Sequence, residues 1–152
     1  MALKEAPLPD EDYAAIAAFR AGLRRFMRFS EEAAHEVGLT PQQHQLLLAI
    51  RGFPGPEAPT IGELAEALQI RHNSAVGLIN RLEDGGYVRR RGSTVERRRV
   101  HVDLTDKGVS ALRALTAAHR REHRQLAALL HDLLNRVGDE TDQSLEAGAS
   151  SR

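Results

Sequence analysis

The sequence predicts a mainly α-helical fold with one small β-hairpin, and three observations lead to this prediction. Apolar residues recur at a helical spacing along most of the chain. Two segments, 87–91 and 99–104, have the composition of β-strands, and apolar and polar residues alternate along the second. The chain has 152 residues, of which 41% are hydrophobic, so it can bury one core but cannot hold two full-sized domains.

The first helix begins at Asp10, which can cap it, and Gly38 is placed to end it. One face of this helix is apolar and carries Ile16, Phe19, Leu23, Phe26 and Met27.

Three shorter helices follow the first. The segments TPQQ at 40–43 and TIGE at 60–63 each place a Thr at the N-cap and a Gln or Glu three residues later, which is a capping box. The proline-rich segment FPGPEAP separates the two helices that begin there. The fourth helix spans 72–84 and ends at a Gly-Gly pair.

The last helix begins at Thr105-Asp106 and is long, and we allow for one break along it. Two short helices joined by a tight turn and followed by a hairpin form a winged helix-turn-helix. The first and last helices are too long and too apolar on one face to stand alone, so we expect a second copy of the chain to cover them. The predicted parts are a flexible N-terminus at 1–10, dimerisation helices at 11–37 and 105–137, a winged helix-turn-helix lobe at 38–104, and a disordered tail at 139–152.

Composition excludes several classes of function. The chain has no Cys, which excludes disulfides, thiolate metal sites and cysteine nucleophiles. Aromatic residues make up only 4% and Trp is absent, so a stacking platform for single-stranded nucleic acid is not available. No apolar run approaches the ~18–20 residues of a membrane span, and the acidic N-terminus is unlike a secretion signal. We therefore expect a cytoplasmic protein without a membrane partner.

Charge is balanced over the whole chain but not locally. The sequence holds 21 basic and 21 acidic residues. Residues 71–101 carry eight Arg and three acids, a net charge of +5, whereas residues 1–12 and 132–152 each carry a net charge of −3. A local basic block of this kind is typical of a protein that binds nucleic acid.

Four segments resemble the MarR family of winged-helix transcriptional regulators in their order and spacing: GLTPQQHQLLLAI, TIGELAEAL, SAVGLINRLEDGGYVRR and ERRRVHVDLTDKG. The resemblance covers roughly residues 12–135. It implies a homodimer that binds a pseudo-palindromic operator and is often released by a small ligand. Two departures are visible: Ser93-Thr94-Val95 replace a common Asp-x-Arg pair in the wing, and Val76-Gly77 replace a common Thr-Arg pair in the fourth helix.

The start of the fourth helix holds the candidates for reading base pairs. At 100° per residue, Ala75, Leu78, Ile79 and Leu82 face the preceding helices. The opposite face is free, and its N-terminal part is the part of such a helix that enters a major groove. An Asn can pair with adenine and a Val can meet a thymine methyl group. The predicted contacts are Arg71, His72, Asn73, Ser74, Val76 and Gly77, with Asn80 and Arg81 placed toward phosphates. The alternative is an ordinary solvated helix face.

Six arginines within eleven residues predict that the hairpin meets a polyanion, because so many guanidinium groups repel one another otherwise. Alternate side chains of a strand face opposite ways, so only about half can address a duplex. We select Arg90, Arg97 and Arg98. A hairpin that is merely well solvated is the alternative.

The seven His residues invite a metal or ligand interpretation. His119 and His123 share a helix face, but no carboxylate motif accompanies them, so neither a metal nor a cofactor is predicted. The resemblance places the helix that holds His44 beside a ligand pocket, and an ordinary core or interface role is the alternative for His44. The candidate residues for a small aromatic or anionic ligand are Phe19, Leu23, Phe26, His44 and Leu47.

The sequence therefore predicts a homodimeric regulator that binds double-stranded DNA and acts as a ligand-released repressor. No glycine-rich phosphate loop and no nucleophile with its base can be recognised, so no enzyme and no catalytic residue are predicted. Two alternatives remain: a metal-responsive sensor, and a winged-helix protein–protein adaptor that does not bind DNA.

Overall fold

The computed structural model describes residues 7–93, 96 and 98–149, with side chains as far as residue 137. The chain divides into two compact units. Residues 30–118 form the first, called the lobe, and the described parts of 1–29 and 119–152 form the second, called the helical unit. The elements are α1 (Asp10–Glu36), α2 (Pro41–Arg51), α3 (Ile61–Leu68), α4 (His72–Asp84), β1 (Val88–Gly92), β2 (Val100–Leu104) and α5 (Asp106–Ala149). This order confirms the predicted fold class.

Helices α2 and α3 begin at the two capping boxes that the sequence predicts. The Thr40 hydroxyl accepts the Gln43 backbone N–H at 3.2 Å, and the Gln43 side chain accepts the Thr40 N–H at 2.9 Å. Thr60 and Glu63 make the same reciprocal pair at 3.3 and 2.8 Å. Each box satisfies two backbone donors that a helix start leaves open.

The lobe closes its own hydrophobic core. Side chains from α2, α3, α4 and both strands are almost fully buried in it, among them Leu46, Leu47, Leu64, Ile79, Leu82, Val88 and Val102. The predicted inner face of α4 is confirmed, because Ala75, Leu78, Ile79 and Leu82 are its buried residues. Burial of a side chain of this size stabilises the fold by about 1.5–3 kcal/mol.

Strands β1 and β2 pair antiparallel, with Val88 opposite Leu104 and Gly92 opposite Val100. The far side of β2 is held by the loop that precedes α3. The Val102 N–H donates to the Pro59 carbonyl at 2.9 Å, and the buried His101 ring lies with Nδ1 2.5 Å from the carbonyl oxygen of the same loop's residue 58. Strand β2 is therefore hydrogen-bonded on both edges, to β1 on one edge and to the loop before α3 on the other.

The start of α5 is hydrogen-bonded to the turn that ends α4. The Thr105 hydroxyl donates to the Gly86 carbonyl at 2.5 Å, and the Lys107 ammonium donates to the Gly85 carbonyl at 2.7 Å. Gly108 lies so close to the next carbonyl of this turn that a Cβ atom there would overlap it. The segments RLEDGGYVRR and LTDKG, which carry much of the family resemblance, are thus in direct contact.

The helical unit packs α1 against α5 without closing a core. Gly22 permits a close approach, because a Cβ atom there would overlap the end of Leu129. Several large apolar side chains nevertheless stay exposed on the two helices, and they form the apolar stripe: Tyr13, Leu23, Met27, Leu130, Leu134 and Val137.

The structure answers one question about α5 that the sequence left open, and it differs from one expectation. The helix runs from Asp106 to Ala149 without a break, and residues 139–149, predicted as disordered, continue it. Glu, Gln, Leu and Ala are strong helix formers, and they outweigh the cost of two glycines, Gly138 and Gly148. The rest of that predicted tail, 150–152, and most of the predicted flexible N-terminus, 1–6, lie outside the described residues. No helix in the described part of the chain is long and apolar enough to cross a membrane.

Candidate nucleic-acid interface

Helix α4 presents its first turn to solvent. Arg71, His72, Asn73 and Ser74 are exposed, and Val76 and Gly77 are half-buried. Arg71 occupies the N-cap and makes no side-chain capping bond, in contrast to the closed boxes of α2 and α3. The first backbone N–H groups of α4 are therefore open to an outside acceptor, and a helix N-terminus favours anionic ones.

The later part of α4 is joined to β1. Arg90 donates from Nη1 to Glu83 Oε1 and from Nη2 to Asn80 Oδ1, both at 2.6 Å. The backbone N–H of Arg90 donates to the other Glu83 oxygen at 2.9 Å. Asn80 and Arg90, two predicted DNA contacts, thus lie together, whereas Arg81 is exposed on the same helix.

The hairpin formed by β1, β2 and the loop between them is called the wing. Two more of its arginines have carboxylate partners. Arg91 pairs with Asp103 at 2.8 Å, and this hydrogen bond raises the pKa of the Arg91 guanidinium further above its already high value. Arg99 pairs with Glu96 at 2.9 Å. The sequence prediction missed Glu83 and Asp103 as partners, although Asp103 stands one diagonal step across the hairpin from Arg91.

Arg89 and Arg98 make no ion pair within the described residues, and both are exposed. Arg97, the other wing residue selected from the sequence, lies outside the described residues.

One cleft brings together the start of α4 and the residues that lead from the wing's loop into β2. Its volume is about 490 Å³, and its lining includes His72, Arg98 and Arg99 beside the first turn of α3. Two acids, Glu63 and Glu66, stand on the α3 side. The Thr60 backbone N–H lowers the pKa of the Glu63 carboxyl, so that side chain stays ionised at neutral pH. The cleft is therefore basic along one edge and acidic along the other.

The predicted ligand residues divide between the two units. Phe19, Leu23 and Phe26 belong to the helical unit, and His44 and Leu47 are buried in the lobe. In the helical unit the Phe26 ring lies near two imidazole rings. The centroid of the Phe26 ring is 5.9 Å from that of His119 and 5.1 Å from that of His123.

No metal site is predicted from the sequence. Across the described part of the chain, no three His, Asp or Glu side chains come together in a way that could hold a metal ion.

Comparison with known proteins gives one family match and several relatives. Residues 37–99 match the MarR family. A protein of Thauera aromatica, named for transcriptional regulation of its hcr operon, is 30% identical over 113 residues, which span 74% of this chain and 66% of that protein. The transcriptional regulator PecS of Dickeya dadantii is 26% identical over 88 residues, or 58% of this chain and 53% of PecS. The matched region thus spans less than two thirds of either relative.

Among solved structures, the MepR–DNA complex of S. aureus has a similar fold. Its TM-score is 0.64 at 19% identity, with 90% of this chain and 96% of the MepR chain covered.

Proposed function

We propose, from the premise that the chain belongs to the MarR family, that it is a homodimeric transcriptional regulator that binds double-stranded DNA and represses at a pseudo-palindromic operator. One observation carries the proposal: the exposed, uncapped start of α4 shares a cleft with two arginines, Arg98 and Arg99, at the loop end of the wing. A helix start that enters a major groove beside a basic hairpin is the winged-helix mode of DNA binding.

The roles of the two elements follow from their side chains. The first turn of α4 offers Asn73 and Ser74, whose hydrogen-bonding groups can meet base edges. The wing offers Arg98, whose charge suits phosphates or a narrow minor groove. We therefore assign sequence recognition to α4 and much of the affinity to the wing. MepR, which has a similar fold, was solved in complex with DNA, and this supports the proposal that the chain binds DNA.

A second copy of the chain is the proposed occupant of the apolar stripe. Large leucines there remain 40–58% exposed in one chain, and exposed apolar patches of this kind are typical of protein–protein interfaces. A two-fold dimer buries the same stripe on both copies and presents two α4 helices to two half-sites.

Release by a small aromatic or anionic ligand, and a cytoplasmic location, stay predictions. The first can be tested by adding an aromatic carboxylate such as benzoate to a preformed protein–DNA complex and measuring dissociation. If a ligand acts and His44→Ala leaves its effect unchanged, His44 is not part of the ligand site.

DNA binding is tested by fluorescence anisotropy. A labelled duplex from the region upstream of the protein's own gene is titrated with the chain, and a scrambled duplex of equal length serves as the control. We expect two chains per duplex and clear preference for the natural sequence. Absence of any complex at low salt would overturn the proposal and favour the protein–protein adaptor.

A further inference from the structure

We propose that Glu83 is a positioning residue for DNA binding: acting through Arg90, it orients the Asn80 amide so that the oxygen faces Arg90 and the N–H donors are offered to the duplex. The inference rests on the proposed function and deepens it. It changes the role of Arg90 from a DNA contact to a support for one.

The orientation of the Asn80 amide follows from the chemistry of its partner. A guanidinium group has N–H donors and no acceptor. The Asn80 atom that lies 2.6 Å from Arg90 Nη2 must therefore be the oxygen, Oδ1. The Nδ2 group, with its two donors, is left for a partner outside this pair, and Asn80 is an exposed residue.

Glu83 holds Arg90 at both ends. One carboxylate oxygen accepts from the guanidinium at 2.6 Å and the other accepts from the backbone N–H of the same residue at 2.9 Å. Both side chains are partly buried, so water screens the pair less than it would screen a fully exposed one. Charge-assisted hydrogen bonds of this kind are short and directional. Arg90 is therefore a fixed support and not a mobile surface cation.

The fixed amide limits what Asn80 can recognise. Bidentate pairing of Asn with adenine needs the amide oxygen and the amide nitrogen to face the base together, and here the oxygen is turned toward Arg90. The remaining donors suit an acceptor, and DNA phosphates offer such acceptors along the whole backbone. Asn80 lies in the second half of α4, away from the end that enters the groove. We therefore assign it to a phosphate, where it sets the register of α4 without reading sequence.

Positioning by Glu83 and simple electrostatics predict opposite changes in DNA affinity when Glu83 loses its charge. Glu83→Gln removes a negative charge from the DNA-facing side, and charge alone predicts tighter binding. In our interpretation the variant binds less tightly, because Arg90 loses its ionised acceptor and the Asn80 amide is no longer held in one orientation.

The experiment compares the affinity of wild type, Glu83→Gln, Asn80→Ala and their double variant for the upstream duplex and for a scrambled one. Loss of one positioned hydrogen bond corresponds to weakening by about three- to tenfold. We expect each single variant to lose about that much on both duplexes, and the double variant to lose no more than Asn80→Ala alone. Glu66→Gln is the matched control, since it removes an exposed acid from the cleft beside the start of α4 and leaves the Glu83–Arg90 pair in place, and we expect unchanged or tighter binding.

A charge-conserving variant separates positioning from a loss of folding. Arg90→Lys keeps the positive charge but cannot donate to Glu83 and Asn80 through one planar fork. We expect the same loss of affinity as for Glu83→Gln, with circular dichroism unchanged in both variants. Tighter or equal binding by Glu83→Gln, or additive losses in the double variant, would overturn the inference while leaving the proposed function intact. A wild-type chain that binds no duplex overturns both.

Discussion

The lobe and the helical unit use leucine in opposite ways. In the lobe, Leu46 and Leu82 have no exposed surface. In the helical unit, Leu130 and Leu134 are 40% and 58% exposed. The same residue type completes a core in one region and remains available in the other. The lobe therefore has the properties of a self-sufficient fold, and the helical unit has those of half an interface.

Polar interactions differ between the two regions in the same way. The lobe satisfies the starts of α2 and α3 with two complete capping boxes and pairs three of its wing arginines at 2.6–2.9 Å. In the helical unit, Arg136 meets Glu11 at 3.7 Å and Asp132 at 3.4 Å, on exposed side chains. Surface pairs of this kind contribute little to stability. These pairs would therefore do little to stabilise the helical unit in the absence of a partner.

The largest expected effect is loss of the proposed dimer. Leu130→Asp combined with Leu134→Asp places charges in the apolar stripe, and we expect the dimer dissociation constant to rise by at least about a hundredfold, since burial of each Leu contributes roughly 1.5–3 kcal/mol. Light scattering across a concentration series measures this. Leu48→Asp is the control, because Leu48 is 46% exposed in the lobe and lies outside the stripe. If all three proteins have the same mass at every concentration, the stripe is not an interface.

A core substitution sharpens the comparison from the side of the lobe. Leu82→Ala should lower the free energy of unfolding by about 2–5 kcal/mol, because it leaves a cavity among fully buried neighbours. The same change at Leu48 should cost about 0.5 kcal/mol or less. Urea denaturation of both variants gives the difference. Equal losses would show that the lobe core is not closed as described.

The third prediction concerns the two DNA-binding elements within the lobe. Asn73→Ala should weaken binding to the operator by about 1–3 kcal/mol and have little effect on scrambled DNA, because a base-edge contact discriminates sequence. Arg98→Ala should weaken both duplexes and flatten the plot of log K against log[salt] by roughly 0.9 for each phosphate contact removed. Titrations at several salt concentrations measure both. A reversed outcome would mean that the wing reads sequence and α4 does not.

The smallest expected effect concerns the stability that the capping box of α3 provides, and the capping box of α2 serves as the comparison. Thr60→Ala should destabilise the lobe by about 1 kcal/mol. The carboxyl of Glu63 adds a pH dependence, because hydrogen bonding from the Thr60 backbone lowers its pKa in the folded chain. A lowered pKa stabilises the folded state above the ordinary Glu value of about 4.3, and this stabilisation is lost as the pH falls through the lowered value.

Wild type should therefore exceed Glu63→Gln in unfolding free energy at neutral pH, and the two should converge in acid. The chain supplies its own mirror control, since Gln43 holds the same position in α2. Gln43→Glu should introduce the pH dependence that Glu63→Gln removes. A difference between wild type and Glu63→Gln that persists unchanged into acid would contradict this explanation.

The sequence predicts local features of the lobe well because their partners are close along the chain. Thr60 and Glu63 are three residues apart, so their pairing can be read as a motif. The pairing of Arg90 with Glu83 and Asn80 joins a helix to a strand across a turn, and no spacing rule predicts it. The extent of α5 was also missed beyond residue 138, because small and polar residues suit a tail as well as a helix.

The carboxylates that pair with Arg90, Arg91 and Arg99 have a consequence for how a DNA-bound protein searches a chromosome. An arginine that already has an internal counter-charge attracts random sequence weakly, so under the proposed function we expect the hairpin to bind non-specific DNA less than its composition predicts. A chromosome offers a vast excess of such competing sites. Weak retention on them leaves more molecules free, shortens the residence time at each wrong site, and allows a small number of copies per cell to keep one operator occupied.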